Sequence, residues 1–157
     1  MSSNSFQSLE EKVSDILAIF QGGLHHSRYF YKYIRISLTE QSSLRGLNEQ
    51  ELRRVYHYFS SIERSKNRTE KSVEEHAVPV KVLAEILRDE YEKNPQQFEK
   101  FIPLVLERCL WVVFITEREN RKLNELGLKQ KMPEGWDWKR DSPFIRYQLC
   151  GIALPEV

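Results

Sequence analysis

Histidine and cysteine are the side chains of this 157-residue sequence that would most readily bind a metal or act as a nucleophile, and there are four histidines and two cysteines. Zinc requires these residues in clusters, but neither Cys109 nor Cys150 lies close in sequence to a histidine. Cys109 lies in an apolar run, where burial is expected to raise the pKa of its thiol and make it a poor nucleophile. His25 and His26 follow two glycines and are typical of a solvated turn. The sequence therefore predicts no metal site and no disulfide framework.

The motifs of common enzyme classes do not occur in this sequence. It has no Gly-x-x-x-x-Gly-Lys-Ser/Thr or Gly-x-Gly-x-x-Gly loop to hold phosphates, and no Gly-x-Ser-x-Gly nucleophile elbow. Paired carboxylates such as Glu117 and Glu119 lie on charged stretches that are typical of a solvated surface. We therefore expect no cofactor and no enzymatic activity, although a site assembled from residues distant in sequence stays open.

Composition points to one soluble domain over residues 1–157. Hydrophobic residues make up 40% of the chain and charged residues 30%, and the formal net charge is +1. A chain of this length can bury a single cooperative core without disulfides or metals. No apolar run approaches the roughly 18 residues of a membrane span, and residues 1–7 resemble a flexible N-terminus rather than a signal peptide. We expect a cytoplasmic protein.

Positive charge is concentrated in the middle of the chain. Residues 24–71 hold ten Lys and Arg against five Asp and Glu, a net charge of +5. Tyrosines alternate with the first of these cations, and cations that contact phosphates beside rings that stack on bases are typical of single-strand binding. The candidate nucleic-acid-binding residues are Arg28, Tyr31, Lys32, Arg35, Arg53, Arg54, Arg64, Lys66 and Arg68.

An ordinary solvated helix face is the simpler explanation of the same spacing. Arg28, Lys32 and Arg35 recur at intervals of four and three, as on any exposed helix surface. Tyr29, Tyr31 and Tyr33 cannot all face one way on a helix, so at least one of them is expected in the core. The acidic residues that follow Ser72 could also pack nearby and offset the positive field.

Apolar periodicity predicts an all-α fold, a bundle of five or six helices. Helices are expected over 9–21, with a Ser8 cap and a Gly22-Gly23 stop, over 24–38, over 49–63, and from a Ser72 cap to Asn94. The most apolar segment predicts a long central helix over 104–126 that stops at Gly127. The polar segment 65–71 is expected to be a loop.

The last thirty residues, 128–157, predict an irregular aromatic tail with a short helix near 144–149. Proline and glycine interrupt its periodicity, yet large aromatic side chains remain. It could be a clasp that closes the bundle or an epitope for a protein partner. The partner-binding candidates are Trp136, Trp138, Arg140 and Phe144.

The favoured function is a non-enzymatic helical module that binds RNA or single-stranded DNA through the basic and aromatic segment. It could serve as an accessory subunit of a larger complex. The alternative is a protein-interaction or regulatory module that uses its amphipathic helices or its tail. Neither alternative calls for a membrane or a small-molecule cofactor.

Overall fold

The computed structural model describes residues 8–38, 57–66 and 71–155. The fold is mostly helical, as predicted, but it also contains a small β-sheet. Helix α1 spans Leu9–Gln21 and α2 spans Arg28–Lys32, continuing as a π-helical segment over Tyr33–Leu38. The remaining elements are β1 (His57–Ser60), α3 (Ile62–Lys66), β2 (Ser72–His76), α4 (Val80–Lys93), a 3₁₀ turn (Pro95–Gln97), α5 (Phe98–Cys109), β3 (Trp111–Thr116), α6 (Glu117–Glu125) and α7 (Ile145–Leu149).

Helix α1 forms as its sequence predicts. The Ser8 hydroxyl accepts a hydrogen bond from the Glu11 backbone N–H at 3.2 Å, which satisfies one of the free donors of the first turn. Ile16, Ile19 and Phe20 lie on its buried face. Gly23 then adopts φ of 72°, a conformation that favours glycine, and the helix ends.

The predicted long helix over 104–126 is wrong, because strand β3 occupies its middle. Helix α5 ends at Cys109, and Trp111–Thr116 is extended. This run is aromatic and β-branched throughout, which suits a strand whose two faces are both covered. Thr116 then caps α6 by accepting from the Glu119 backbone N–H at 3.1 Å, and the Glu119 carboxylate accepts from the Thr116 N–H at 3.0 Å.

The partners of β3 come from two segments that the periodicity assigned to helices. Strand β1 pairs with β3 in parallel, with His57 opposite Trp111, although 57–60 falls within the predicted helix 49–63. Strand β2 pairs antiparallel, with His76 opposite Val112 and Ser72 opposite Thr116. Ser72 is therefore a strand residue and not a helix cap, and α4 begins only after Pro79. The first part of the predicted helix, 49–56, lies outside the described residues, and its last two residues, Ile62 and Glu63, begin α3.

The core has two clusters, and β3 contributes residues to the second. The first packs α1, α2, α4 and α5 through residues such as Phe20, Phe30, Leu87 and Ile102. The second packs β3 against α6, α7 and the tail through Val113, Ile115, Leu123, Tyr147 and Ile152. The predicted short helix near 144–149 is confirmed as α7. No helix within the described ranges is long and apolar enough to cross a membrane.

A buried arginine connects α7 to the end of β2 and to the segment that follows α6. Arg146, on α7, is fully buried, and its Nη1 donates to Glu75 Oε1 at 2.9 Å and to the Leu128 carbonyl at 2.8 Å. Its Nε and Nη2 donate to the Ala77 carbonyl at 3.2 and 2.9 Å, and Nη2 also donates to the His76 carbonyl. The guanidinium thus uses all of its donors inside the protein.

Replacing Arg146 with methionine is expected to lower the free energy of unfolding by about 3 kcal/mol or more, because the Glu75 carboxylate and three carbonyls lose a buried donor. Urea denaturation followed by circular dichroism measures the loss. The matched control is Arg140→Met, which removes an exposed arginine and should cost less than about 0.5 kcal/mol. Equal stability of the two variants would contradict the structural role assigned to Arg146.

Candidate nucleic-acid interface

The cations of α2 and of the π-helical segment that continues it lie together on one exposed side. Phe30, Tyr33 and Ile34 face the core and are buried. Arg28, Lys32 and Arg35 recur at intervals of four and three on the opposite side, and all three are exposed. We call these three residues the cationic ridge.

Two tyrosines flank the cationic ridge, one on each side. Tyr29 and Tyr31 keep 57% and 38% of their surface exposed. Because successive residues turn by about 100° around a helix, the two rings fall on opposite flanks of the ridge. The Arg35 guanidinium lies 6.0 Å from the centroid of the Tyr31 ring. Tyr29 was not among the predicted site residues, although its position on the helical wheel would have placed it beside the ridge.

The third tyrosine of the segment is in the core, as the spacing required. Tyr33 is 8% exposed, and its hydroxyl donates to Asp15 Oδ2 at 3.3 Å. The prediction that these tyrosines do not share one face is therefore confirmed.

Carboxylates are absent from the sequence around the cationic ridge. Between Asp15 and Glu40 the sequence contains no Asp or Glu. Within the described part of the chain, neither Arg28 nor Lys32 forms an ion pair. Acidic α4 does contact α2, and Glu92 Oε1 lies 3.4 Å from His26 Nε2, so the positive field is local and does not extend over the molecule.

The other predicted basic residues do not join the ridge in the described structure. Arg64 and Lys66 lie on α3, which follows β1 near the Thr116 end of β3. Arg35 lies instead toward His76, at the opposite end of β3; burial lowers the pKa of that histidine, and the charge of Arg35 adds to the effect. Arg53, Arg54 and Arg68 lie outside the described residues.

The side chain of Arg64 is also poorly placed to contact a phosphate, because part of its guanidinium is buried. Its Nε and Nη1 atoms are buried without a hydrogen-bond partner among the residues that the structure describes, and its backbone N–H donates to the Ser61 hydroxyl at 3.1 Å. Neighbouring Glu63 accepts from Thr116 Oγ1 at 2.8 Å and pairs with Arg118. The exposed cation on this helix is Lys66.

An aromatic stack fixes the turn that leads into α2. The His25 ring lies parallel to Phe20 with centroids 4.7 Å apart, and 5.0 Å from Tyr91. Arg88 Nε donates to the His25 carbonyl at 2.6 Å. Burial lowers the pKa of His25 below 6.5, the charges of His26 and Arg88 lower it further, and Glu92 partly offsets them. His25 Nδ1 is buried and has no hydrogen-bond partner within residues 8–38, 57–66 and 71–155.

The aromatic tail packs onto the helices, in the manner of the predicted clasp. Trp138 is buried in the first core cluster, and its indole N–H donates to Glu90 Oε1 at 3.2 Å. Phe144 packs edge-on against Trp111 at 5.2 Å. Of the predicted partner-binding residues, Trp136 is half-buried and Arg140 is exposed. A partner could therefore contact Trp136 and Arg140 but little of Trp138.

The cysteines have the character expected from the sequence. Cys109 and Cys150 are buried free thiols. Burial raises the pKa of Cys109 to about 12, in the direction that its apolar run predicts. Among the residues that the structure describes, no group of three His, Cys, Asp or Glu could hold a metal ion.

The comparisons with known proteins give no indication of function. No protein-family model, curated protein or solved structure matches this chain.

Acidification is expected to destabilise the protein through two histidines. Burial lowers the pKa of both His25 and His76 in the folded state, so the unfolded chain takes up these protons first. Their contribution to stability is complete above the unfolded pKa of 6.5 and is lost as the pH falls through the folded values. Melting temperatures measured from about pH 7.5 to about pH 5 should therefore decrease.

The variant His25→Phe tests the share of His25 in this pH dependence. Phenylalanine keeps a ring in the stack with Phe20 but cannot be protonated, so the decrease in melting temperature on acidification should become shallower. An unchanged pH profile would show that His25 has no part in it.

Proposed function

We propose that this protein binds single-stranded nucleic acid, RNA or single-stranded DNA, through the cationic ridge and its two flanking tyrosines. The observation that carries the proposal is the combination of three exposed cations in one row with an exposed ring on each side. Cations contact phosphates without regard to sequence, and an exposed ring stacks on any unpaired base.

A single strand suits this surface better than a duplex. Arg28 and Arg35 are seven residues apart, which corresponds to about 10 Å along a helix, a length that suits two or three phosphates. A base can turn from the backbone onto the ring of Tyr29 or Tyr31 only when it is unpaired. In a duplex the bases are already stacked, so the rings would add little to the affinity.

The proposal is for a binding module rather than an enzyme, and the expected affinity is moderate. The net charge of +1 gives no general attraction to a polyanion, and α4 places acidic residues beside α2. Binding therefore depends on direct contacts at the ridge. The binding affinity should therefore change with salt concentration and with substitution at the ridge.

Reversing two ridge charges in the variant Arg28→Glu/Lys32→Glu is expected to weaken binding at least about tenfold. It should also reduce the slope of log Kd against log salt by about 1.4, since each phosphate contact of a single strand contributes about 0.7. Fluorescence anisotropy with a labelled mixed-sequence oligonucleotide, as RNA and as DNA, measures both quantities.

The matched control is Lys81→Glu/Lys100→Glu, which makes the same change in net charge at exposed lysines of α4 and α5. It should bind with nearly the affinity of the unchanged protein. Equal weakening in the two variants would mean that overall charge governs binding and that the ridge is not the site.

Removing the flanking rings in Tyr29→Ala/Tyr31→Ala tests the stacking contribution. Stacking contributes about 1–3 kcal/mol per base, so this variant should bind more weakly at constant salt slope. Tyr29→Phe/Tyr31→Phe keeps the rings and should retain the affinity, as measured in the same anisotropy titration. If the phenylalanine variant binds as weakly as the alanine variant, stacking is not the basis of recognition.

A further inference from the structure

A groove separates α4 from residues 135–140 of the tail, on another side of α4 from the one that packs against α2. It has a volume of about 480 Å³. Val82 and Ile86 of α4 and the tryptophans Trp136 and Trp138 of the tail line it with apolar surface. Cavities of this size bind ligands in many proteins.

Most charges along the groove are already paired with each other. Lys139 Nζ lies 3.4 Å from Glu90 Oε1, and Arg140 Nε lies 3.1 Å from Asp137 Oδ2. Glu85 and Asp89 also line the groove, are exposed, and make no ion pair within the described ranges. They are four residues apart on α4, so their carboxylates lie on the same face. Lys93 also lines the groove, is exposed and makes no ion pair within the described ranges. The unpaired charges of the described groove are thus two carboxylates and one ammonium, beside apolar surface.

A cation of the tail, Lys139, already contacts a surface of this kind within the protein. The Lys139 ammonium lies 5.2 Å from the centroid of the Phe101 ring and 5.6 Å from that of Trp138, in addition to its contact with Glu90. An ammonium between rings and a carboxylate is favoured by both the ring quadrupole and the charge.

Trp136, Glu85 and Asp89 line the same groove and provide the same kinds of group, a ring and carboxylates. The indole N–H of Trp136 donates to the Ser142 carbonyl at 2.9 Å, so the polar edge of the ring is satisfied. The ring itself is half-buried and lines the groove. A cationic side chain entering here would gain a ring and two carboxylates.

We propose that this groove binds a peptide segment of a protein partner in which an arginine or lysine stands next to an apolar residue. The cationic side chain would lie against Glu85, Asp89 and Trp136, and the apolar residue against Val82 and Ile86. The two carboxylates disfavour a phosphate-bearing ligand, which separates this surface from the cationic ridge. Tryptophan and arginine are also the residues that most often dominate protein interfaces.

The test is an NMR titration of the tryptophan indole N–H signals, with the full chain labelled with ¹⁵N. The probe is a blocked peptide of alternating leucine and arginine, and its comparison is the same peptide with glutamate in place of arginine. The arginine peptide should shift the Trp136 signal saturably and more weakly at high salt, whereas the glutamate peptide should leave it in place.

The variant Glu85→Gln/Asp89→Asn is expected to weaken the arginine peptide at least tenfold. Its control, Glu107→Gln/Glu125→Gln, neutralises two exposed carboxylates on α5 and α6 and should leave peptide binding unchanged. Arg28→Glu/Lys32→Glu should also leave it unchanged, so that the two proposed surfaces can fail separately.

Three results would overturn the proposal. The first is an equal response to the arginine and glutamate peptides, and the second is an equal loss of binding in the two carboxylate variants. The third is a Trp136 signal that shifts with a single-stranded oligonucleotide and not with the arginine peptide.

Discussion

The buried guanidinium of Arg146 is the interaction on which the rest of this structure depends. It holds together the end of β2, the segment after α6 and the short helix α7, which are distant in sequence. A buried ion pair contributes little net stability compared with an apolar core, but it is costly to break, and its hydrogen bonds fix one arrangement of the chain. Glu75 is held from a second side as well, because Lys129 Nζ lies 2.7 Å from its Oε2. These contacts therefore fix the position of β2 and of the segment through Pro79 that follows it.

Helix α4 begins at that point and supports both proposed surfaces. On one side, Arg88 lies 5.4 Å from the Phe30 ring and donates to the His25 carbonyl, which holds α2 with its core face inward. On another side, Glu90 accepts from Trp138, which holds the tail across the groove. The orientation of the cationic ridge and the shape of the groove thus depend on one rigid helix. A substitution that displaces α4 would affect both surfaces, whereas one confined to either surface would affect only that one.

Local signals predicted the elements that local interactions stabilise. The Ser8 cap, the glycine stop at Gly23 and the exposed spacing of Arg28, Lys32 and Arg35 all follow from residues within a few positions of one another. The sheet was missed because β3 pairs with segments remote in the chain, and its apolar run fits a buried helix equally well. The burial of Trp138 depends on a contact with Glu90, 48 residues away, which no periodicity reveals. The extent of the basic surface likewise depended on tertiary placement, which put Arg64 and Arg35 toward opposite ends of β3.

A nearly neutral protein can still contact partners of opposite charge if its charges are separated in space. Here the sequence between Asp15 and Glu40 has no carboxylate, while Glu85 and Asp89 line the groove and form no ion pair with any residue that the structure describes. At physiological ionic strength, charges more than about 8 Å apart are largely screened when they are exposed, so neither set cancels the other at contact distance. Long-range attraction of a charged partner is weak in this arrangement, because the positive and negative fields cancel far from the surface. In both proposals, recognition therefore depends on short-range contacts, and the tyrosines and Trp136 are expected to contribute to them beside the charges.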